Sequence, residues 1–310
     1  KVVNVYGKAL VEIASEMKDI VVLDADLSAD CGLRPFEEKY PERFIENGIA
    51  EQDMVSMAGG LALHGYLPIV HSFSAFLSSR ANEQIFINAS EGTKIIYVCN
   101  YAGILPAGPG VSHQGVRDVS LLGGLPNMIA MEPCNAAETK LLLEWCVNVT
   151  KENCLLRLSI FPSPGPLNLP DSYRLELGKG VVLECGKDAV IFAYGPVMLH
   201  EAFLASRLLS SNNISLKVVN MPWLNRVNRE WLEDVAGECD FIFVMDNHSA
   251  TGGLGDFLLN TLVSSGQLKD KEFYKFAIEG YPECGTPAEV LRFHKLDGES
   301  IAGRIRKVMR

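Results

Sequence analysis

Glu51 and Asp53 stand near the head of ENGIAEQDMVSMAGGLAL, residues 46–63, with Gly48 and Ala50 before them and Met54, Met57, Ala58 and Leu61 following at helical spacing. A carboxylate in the first turn of a helix ordinarily complements the dipole or caps the end. Set among small apolar residues it has a second use: it can meet a flat aromatic nitrogen and lend or take a proton. Gly59 and Gly60 in mid-helix each cost about 1 kcal/mol relative to alanine, which implies a close neighbour against that helix. A second chemical candidate is GPGVSHQG (108–115). It reads either as an ordinary turn with an exposed histidine or as a rigid mount offering His113 to a carbonyl or hydroxyl substrate as a proton donor. Arg80 and Arg157 read either as surface ion pairs or as a two-armed clamp on a phosphate, which suits guanidinium geometry. TGGLGD (251–256) lacks the G-x-G-x-x-G spacing, so helix initiation and close interdomain packing explain it better than a phosphate cradle.

The elements that must position these residues alternate strand-like and helix-like patterns, the signature of α/β architecture with largely parallel sheets. In a first block, 20–27, 67–73, 94–101, 128–133 and 154–159 read as short buried strands, with helices over about 4–17, 51–64, 76–91, 116–123 and 136–150. A stretch with four prolines, FPSPGPLNLPDSYRLELGKG (161–180), reads as connecting chain. A second block restarts at 188–195, with a helix over about 197–211, strands at 215–223, 241–247 and 274–280, and a terminal helix. The expectation is two doubly wound domains, 1–165 and 181–310, joined by a linker at 166–180. Ligands of such sheets bind outside the carboxyl ends of the strands. That rule selects DADLSAD, the GIAEQ turn, HSFSAF, NYAGILPAGPGVSHQG and DNHSATGGLGD.

The 310 residues, 48% hydrophobic, suffice for about two domains with cores of their own. A formal net charge of −10 argues against nucleic acid or an acidic membrane as partner. No apolar run approaches the roughly 18 residues of a membrane span and no signal peptide opens the chain. Eight cysteines are scattered without a Cys-x-x-Cys, as in reduced core thiols of a cytoplasmic protein, and the six histidines show no metal-ligand spacing.

Taken in order, these pieces resemble the carboxyl-terminal half of transketolase and of 1-deoxyxylulose-5-phosphate synthase. GIAEQ resembles that family's glutamate motif, and SAFLSSRANEQI (74–85) its F-L-x-x-R-A-x-E-Q-I segment. GVSHQGVRDVSLLGGLPNMIAMEP (110–133) resembles its G-P-T-H-Q-G run, and VVNMPWLNRVNREWL with DNHSATGGLGD resembles its carboxyl-terminal domain. The resemblance implies a pyrimidine-binding domain followed by a transketolase carboxyl-terminal domain. It implies that Glu51 hydrogen-bonds N1′ of the aminopyrimidine of thiamine diphosphate, favouring the 4′-imino tautomer that takes the proton from C2. Phe76 is then expected to stack on that ring with Phe73 as a second wall, and Asp26 and Leu27 to lie beside the cofactor. His113, with Gln114 next to it, is expected to contact substrate oxygens, and Arg80 and Arg157 to bind a sugar phosphate.

The departures fall on the acceptor side. Pro109 replaces an acidic residue, Val111 a proline and Asn82 a tyrosine, and Arg157 is followed by LSIFPSP where the family has R-Y-P-R-G. There is no G-D-G, the family's start of the diphosphate and Mg²⁺ site; the nearest string, GDF at 255–257, lies in the second block. The resemblance therefore implies that the chain supplies the pyrimidine half of a shared site, and that an amino-terminal-half subunit supplies the diphosphate and Mg²⁺ half, in an α2β2 assembly. The expected activity is transfer of a two-carbon ketol or acyl unit between sugar, sugar-phosphate or oxoacid substrates. The β-subunit of a 2-oxoacid dehydrogenase E1 component is an alternative, but it usually carries H-S-Q where this chain has H-Q-G. A non-catalytic α/β binding or scaffold protein is the third reading, and the retained Glu51, Phe76 and His113 argue against it.

Overall fold

A computed structural model describes residues 2–309. Strands β1 (Ile20–Asp24), β2 (Phe44–Glu46), β3 (Leu67–Phe73), β4 (Ile96–Asn100), β5 (Met128–Met131) and β6 (Asn153–Leu158) form one sheet in the order β2-β1-β3-β4-β6-β5, parallel throughout. Every residue of β1, β3, β4, β5 and β6 is buried, which is why these strands read as continuous apolar runs rather than alternating ones. Helices α1 (Val2–Glu16), α2 (Arg34–Lys39) and α7 (Ala136–Asn148) pack together, and α3 (Glu51–Leu63), α4 (Ser74–Arg80), α5 (Asn82–Ser90) and α6 (Asp118–Leu122) form a second group.

A second sheet has the order β11-β10-β8-β9-β7. Its strands are β7 (Val181–Glu184), β8 (Ala189–Ala193), β9 (Leu216–Asn220), β10 (Phe241–Ser249) and β11 (Glu272–Ile278). Four run parallel, and β7 is an antiparallel edge on β9. Helices α8 (Gly195–Ser210), α9 (Arg229–Ala236), α10 (Leu254–Ser265), α11 (Pro287–Phe293) and α12 (Gly298–Val308) accompany it. Local capping sets several starts: Asn135, Asn228 and Asp297 accept from the backbone of α7, α9 and α12, and Thr286 with Glu289 makes a capping box at α11. Among the described residues no helix is long and apolar enough to cross a membrane.

Some details differ from the sequence pattern. The helix expected over 76–91 is two helices, α4 and α5, parted at Ala81, whose φ of −97° and ψ of 15° leave the helical region. A built Cβ on Gly59 would come within 2.2 Å of Asn88 Oδ1, so close packing of α5 explains that glycine, whereas Gly60 faces open space. In the first sheet the chain leaves β1 toward β2 and later leaves β3 toward β4. The carboxyl ends of the adjacent β1 and β3 therefore flank a switch point, where open α/β sheets bind ligands.

Candidate active site

Glu51 is the first residue of α3 and is 3% exposed, yet it caps nothing: the N-cap is Ala50, without a side-chain cap. Its Oε1 instead accepts from Arg80 Nη1 at 2.6 Å, with Ser72 Oγ at 3.5 Å. The Arg80 guanidinium lies 4.1 Å from the centre of the Phe76 ring, so a single side chain touches both the carboxylate and the aromatic face. Ile49, Ala50, Gln52 and Asp53 join Glu51 and Arg80 around an open cavity of about 660 Å³.

Phe76 belongs to an aromatic group at the end of β3. Phe73 lies 5.6 Å from it and 5.0 Å from Tyr101, centre to centre. His113 meets Phe76 edge-on at 5.0 Å and Phe73 at 6.0 Å. Ser112 Oγ sits 2.9 Å from His113 Nδ1, and among the described residues no protein group bonds Nε2. A second cleft of about 530 Å³ shares Arg80 with the first, takes in Phe76 and runs past Ser112 and Arg117 to Tyr281. This arrangement can hold a flat heteroaromatic ring against Phe76, exchange a proton at Glu51, and present an imidazole nitrogen to an oxygen nearby.

Asp26 and Leu27 lie just past the end of β1. Asp26 adopts a φ of 60°, a left-handed conformation that costs a non-glycine residue roughly 1–2 kcal/mol. The Leu27 N–H donates to Asp24 Oδ2 at 2.8 Å. Asp24 is fully buried, and burial lifts its carboxyl to about 7, with the Leu27 N–H pulling down and the charge of Glu46 pushing up.

One expected substrate contact is corrected by the structure. Arg157 is no surface clamp. It is fully buried, with Nε bonded to Asp118 Oδ2 at 2.8 Å and Nη2 donating to the carbonyls of Gly115 and Asn247 at 3.1 Å each. Its Nη1 forms an ion pair with Glu132 Oε2 at 2.8 Å. Gln114, 3% exposed, spends its amide N–H groups on the carbonyls of Ile104 at 2.9 Å and Glu283 at 3.0 Å, and so ties the histidine loop to the chain before α11.

Arg157 is the hub of a buried seam between the two sheets. Asp118 also accepts from Ser74 Oγ at 2.7 Å, which anchors the start of α4. Across the seam, Tyr194 donates to Asp246 Oδ1 at 3.0 Å, and Asp246 accepts from the N–H groups of Leu254 and Gly255 at the head of α10. The TGGLGD turn is thus an interdomain joint: Gly252 packs on Ser120, and Gly253 and Gly255 on the Asp246 carboxylate. Burial raises Glu132 to about 7 even though Arg157 pulls it down. It also raises Asp246 and lowers His248.

The structure therefore brings Glu51, Arg80, Phe76, Phe73 and His113 into one run of contacts, sets Asp26 and Leu27 at the neighbouring strand end, keeps Gln114 on the cleft wall, and removes Arg157 to a structural post. Sequence reasoning missed Tyr101, which holds a φ of 58° beside Phe73, and Asp118, the carboxylate that answers Arg157. Tyr101 directly follows a strand end, a position that could have drawn notice. Asp118 lies in the 110–133 run, whose family pattern carries an acid there, but nothing local marks its pairing with Arg157.

Residues 1–159 match the model of the transketolase pyrimidine-binding domain, and residues 178–301 that of the transketolase C-terminal domain. A putative transketolase C-terminal section from Methanocaldococcus jannaschii is 32% identical over 98% of this chain and 95% of its own length. The 1-deoxy-D-xylulose-5-phosphate synthase of Dictyoglomus thermophilum is 31% identical over 99% of this chain, which spans only 49% of that protein. A solved split gene transketolase, described as an inactive beta4 tetramer, superposes with a TM-score of 0.87 at 31% identity, covering 99% of this chain and 97% of the other. Transketolase from Campylobacter jejuni shares the fold with a TM-score of 0.82 at 19% identity, over 99% of this chain and 46% of that one.

Proposed function

The chain belongs to the transketolase family, carrying its pyrimidine-binding and C-terminal domains in tandem, and from that premise we propose that it is the pyrimidine-domain subunit of a two-part transferase using thiamine diphosphate. The observation that carries the proposal is Glu51: a carboxylate nine-tenths and more buried, opening on a cavity, with its charge answered by Arg80 and an aromatic face alongside. A buried carboxylate and an aromatic wall fit an aminopyrimidine, which needs one partner for a ring nitrogen and another for its face.

When bound, thiamine diphosphate supplies the nucleophilic carbon and the electron sink for moving a two-carbon unit. Glu51 holds or releases a proton at the pyrimidine nitrogen N1′. Low exposure keeps that exchange between two partners, because water would weaken the coupling. Arg80 fixes the direction of the carboxylate, Phe76 and Phe73 form the stacking wall, and Asp26 and Leu27 border the ring. His113, steadied by Ser112, orients and protonates a substrate oxygen through Nε2. With Arg157 committed to the interior, anionic substrates are left to the exposed Arg80 and Arg117 edges of the cleft.

The diphosphate and its Mg²⁺ are assigned to an amino-terminal-half partner in an α2β2 assembly. Support comes from the sequence, which has no G-D-G, and from a relative of the same extent that bears the name of a C-terminal section. The test is to purify the chain with its partner and assay ketose phosphates, unphosphorylated ketoses and pyruvate as two-carbon donors with aldose acceptors. Transfer dependent on both chains supports the proposal; no transfer from any donor, with cofactor bound, contradicts it.

A further inference from the structure

Strands β1 and β2 run parallel with Asp24 opposite Glu46, and their ladder ends where the Asn47 N–H donates to the Asp24 carbonyl at 2.9 Å. Beyond that rung the chains diverge, one into the Asp26–Leu27 turn and the other through Gly48 into Glu51. Among the described residues no backbone bond joins the two turns. Glu46 does: its Oε1 accepts from the Asp26 N–H at 2.9 Å and from the Gly48 N–H at 2.7 Å. Both donors are left-handed, with φ of 60° at Asp26 and 66° at Gly48. A built Cβ on Gly48 meets nothing within 4 Å, so the glycine is there for its backbone angle and not for space. Asp26 has no such freedom, and its conformation needs an outside hold.

We infer that Glu46 is a positioning residue: one carboxylate oxygen staples the turn after β1 to the turn that delivers Glu51, setting the spacing of the two cofactor-facing loops. Asp24 completes the clasp from below, where Oδ2 takes the Leu27 N–H. The staple acts through a hydrogen-bond acceptor, so a neutral amide oxygen in the same place preserves it. The assignment of these loops to the cofactor rests on the function proposed above; the staple itself does not.

The test has two readouts. On the purified chain, amide hydrogen exchange at Asp26 and Gly48 is compared for wild type, Glu46→Ala and Glu46→Gln. Loss of the acceptor speeds exchange of both amides by about tenfold, and the glutamine variant stays near wild type. In the assembled two-part enzyme, calorimetry with thiamine diphosphate shows weaker binding for Glu46→Ala, restored by Glu46→Gln. Wild-type protection of both amides in Glu46→Ala overturns the staple. Lost protection with unchanged cofactor affinity overturns the positioning role, provided that Glu51→Gln does alter cofactor chemistry. If Glu51→Gln alters nothing either, the reading of the site has failed and the exchange result alone judges the staple. Should Glu46→Ala not fold, Glu46→Asp, too short to reach both donors, is measured in its place.

Discussion

Arg80 Nη1 donates to Glu51 Oε1 at 2.6 Å, so a half-exposed guanidinium closes on a carboxylate that is 3% exposed. The pair neutralises a charge at the mouth of an apolar helix and aims the carboxylate into the cavity. Replacing Glu51 by Gln keeps the shape and an acceptor for Arg80. Stability of Glu51→Gln should therefore stay within about 1 kcal/mol of wild type. Turnover in the assembled enzyme should fall by 10² or more, roughly the worth of a positioned acid–base group. The loss is read in deuterium exchange at C2 of bound thiamine diphosphate; wild-type exchange in this variant contradicts the assignment.

His113 is placed against Phe73 and Phe76, with Nε2 free of partners among the described residues. His113→Ala should lower kcat while sparing thiamine diphosphate affinity, measured by calorimetry on the assembled enzyme. A collapse of that affinity instead would make the histidine a cofactor contact.

Arg157 should behave as a structural residue. Removing it strands Asp118 and Glu132 in the interior, so Arg157→Ala should cost about 3–5 kcal/mol in urea denaturation. A stable variant with a selective loss of affinity for phosphorylated substrates would restore the clamp reading.

Glu132 predicts a pH dependence. Its folded carboxyl, raised by burial to about 7 from 4.5, binds more protons than the unfolded one between those values, so its contribution to stability falls as pH rises through that window. The full effect is about 3 kcal/mol from a shift of that size. His71, lowered by burial to about 3, acts in the opposite sense below its ordinary value. The readout is therefore the difference between wild type and Glu132→Gln. The variant should gain relative to wild type from pH 5 to pH 8, and a constant difference would show that Glu132 does not titrate there.

How much of this was legible depends on how local the cause is. Fully buried strands announced themselves as apolar runs, and Glu51 stood out because an acid at the head of a small-residue helix is chemically odd. Gly59 was legible as a close contact, though not with Asn88 as its partner. The strand β7 was not, because Val181–Glu184 follows a proline-rich stretch and pairs antiparallel with a segment far along the chain. Arg157 was misread for a similar reason. An arginine at a strand end has the same sequence signature facing a cleft as facing Asp118 and Glu132. Only the fold brings those acids to within 2.8 Å. Glu46 went unnoticed because its two donors sit in different turns, one of them 20 residues away.

The central claim is that this chain supplies the pyrimidine half of a cofactor site that a partner completes. Calorimetry with thiamine diphosphate and Mg²⁺ on the purified single chain tests it most directly, with the same titration repeated after adding the amino-terminal-half subunit. The account predicts weak or absent binding and no turnover for the chain alone, and tight, magnesium-dependent binding with turnover once the two are combined. Tight, magnesium-dependent binding together with turnover by this chain alone would contradict it.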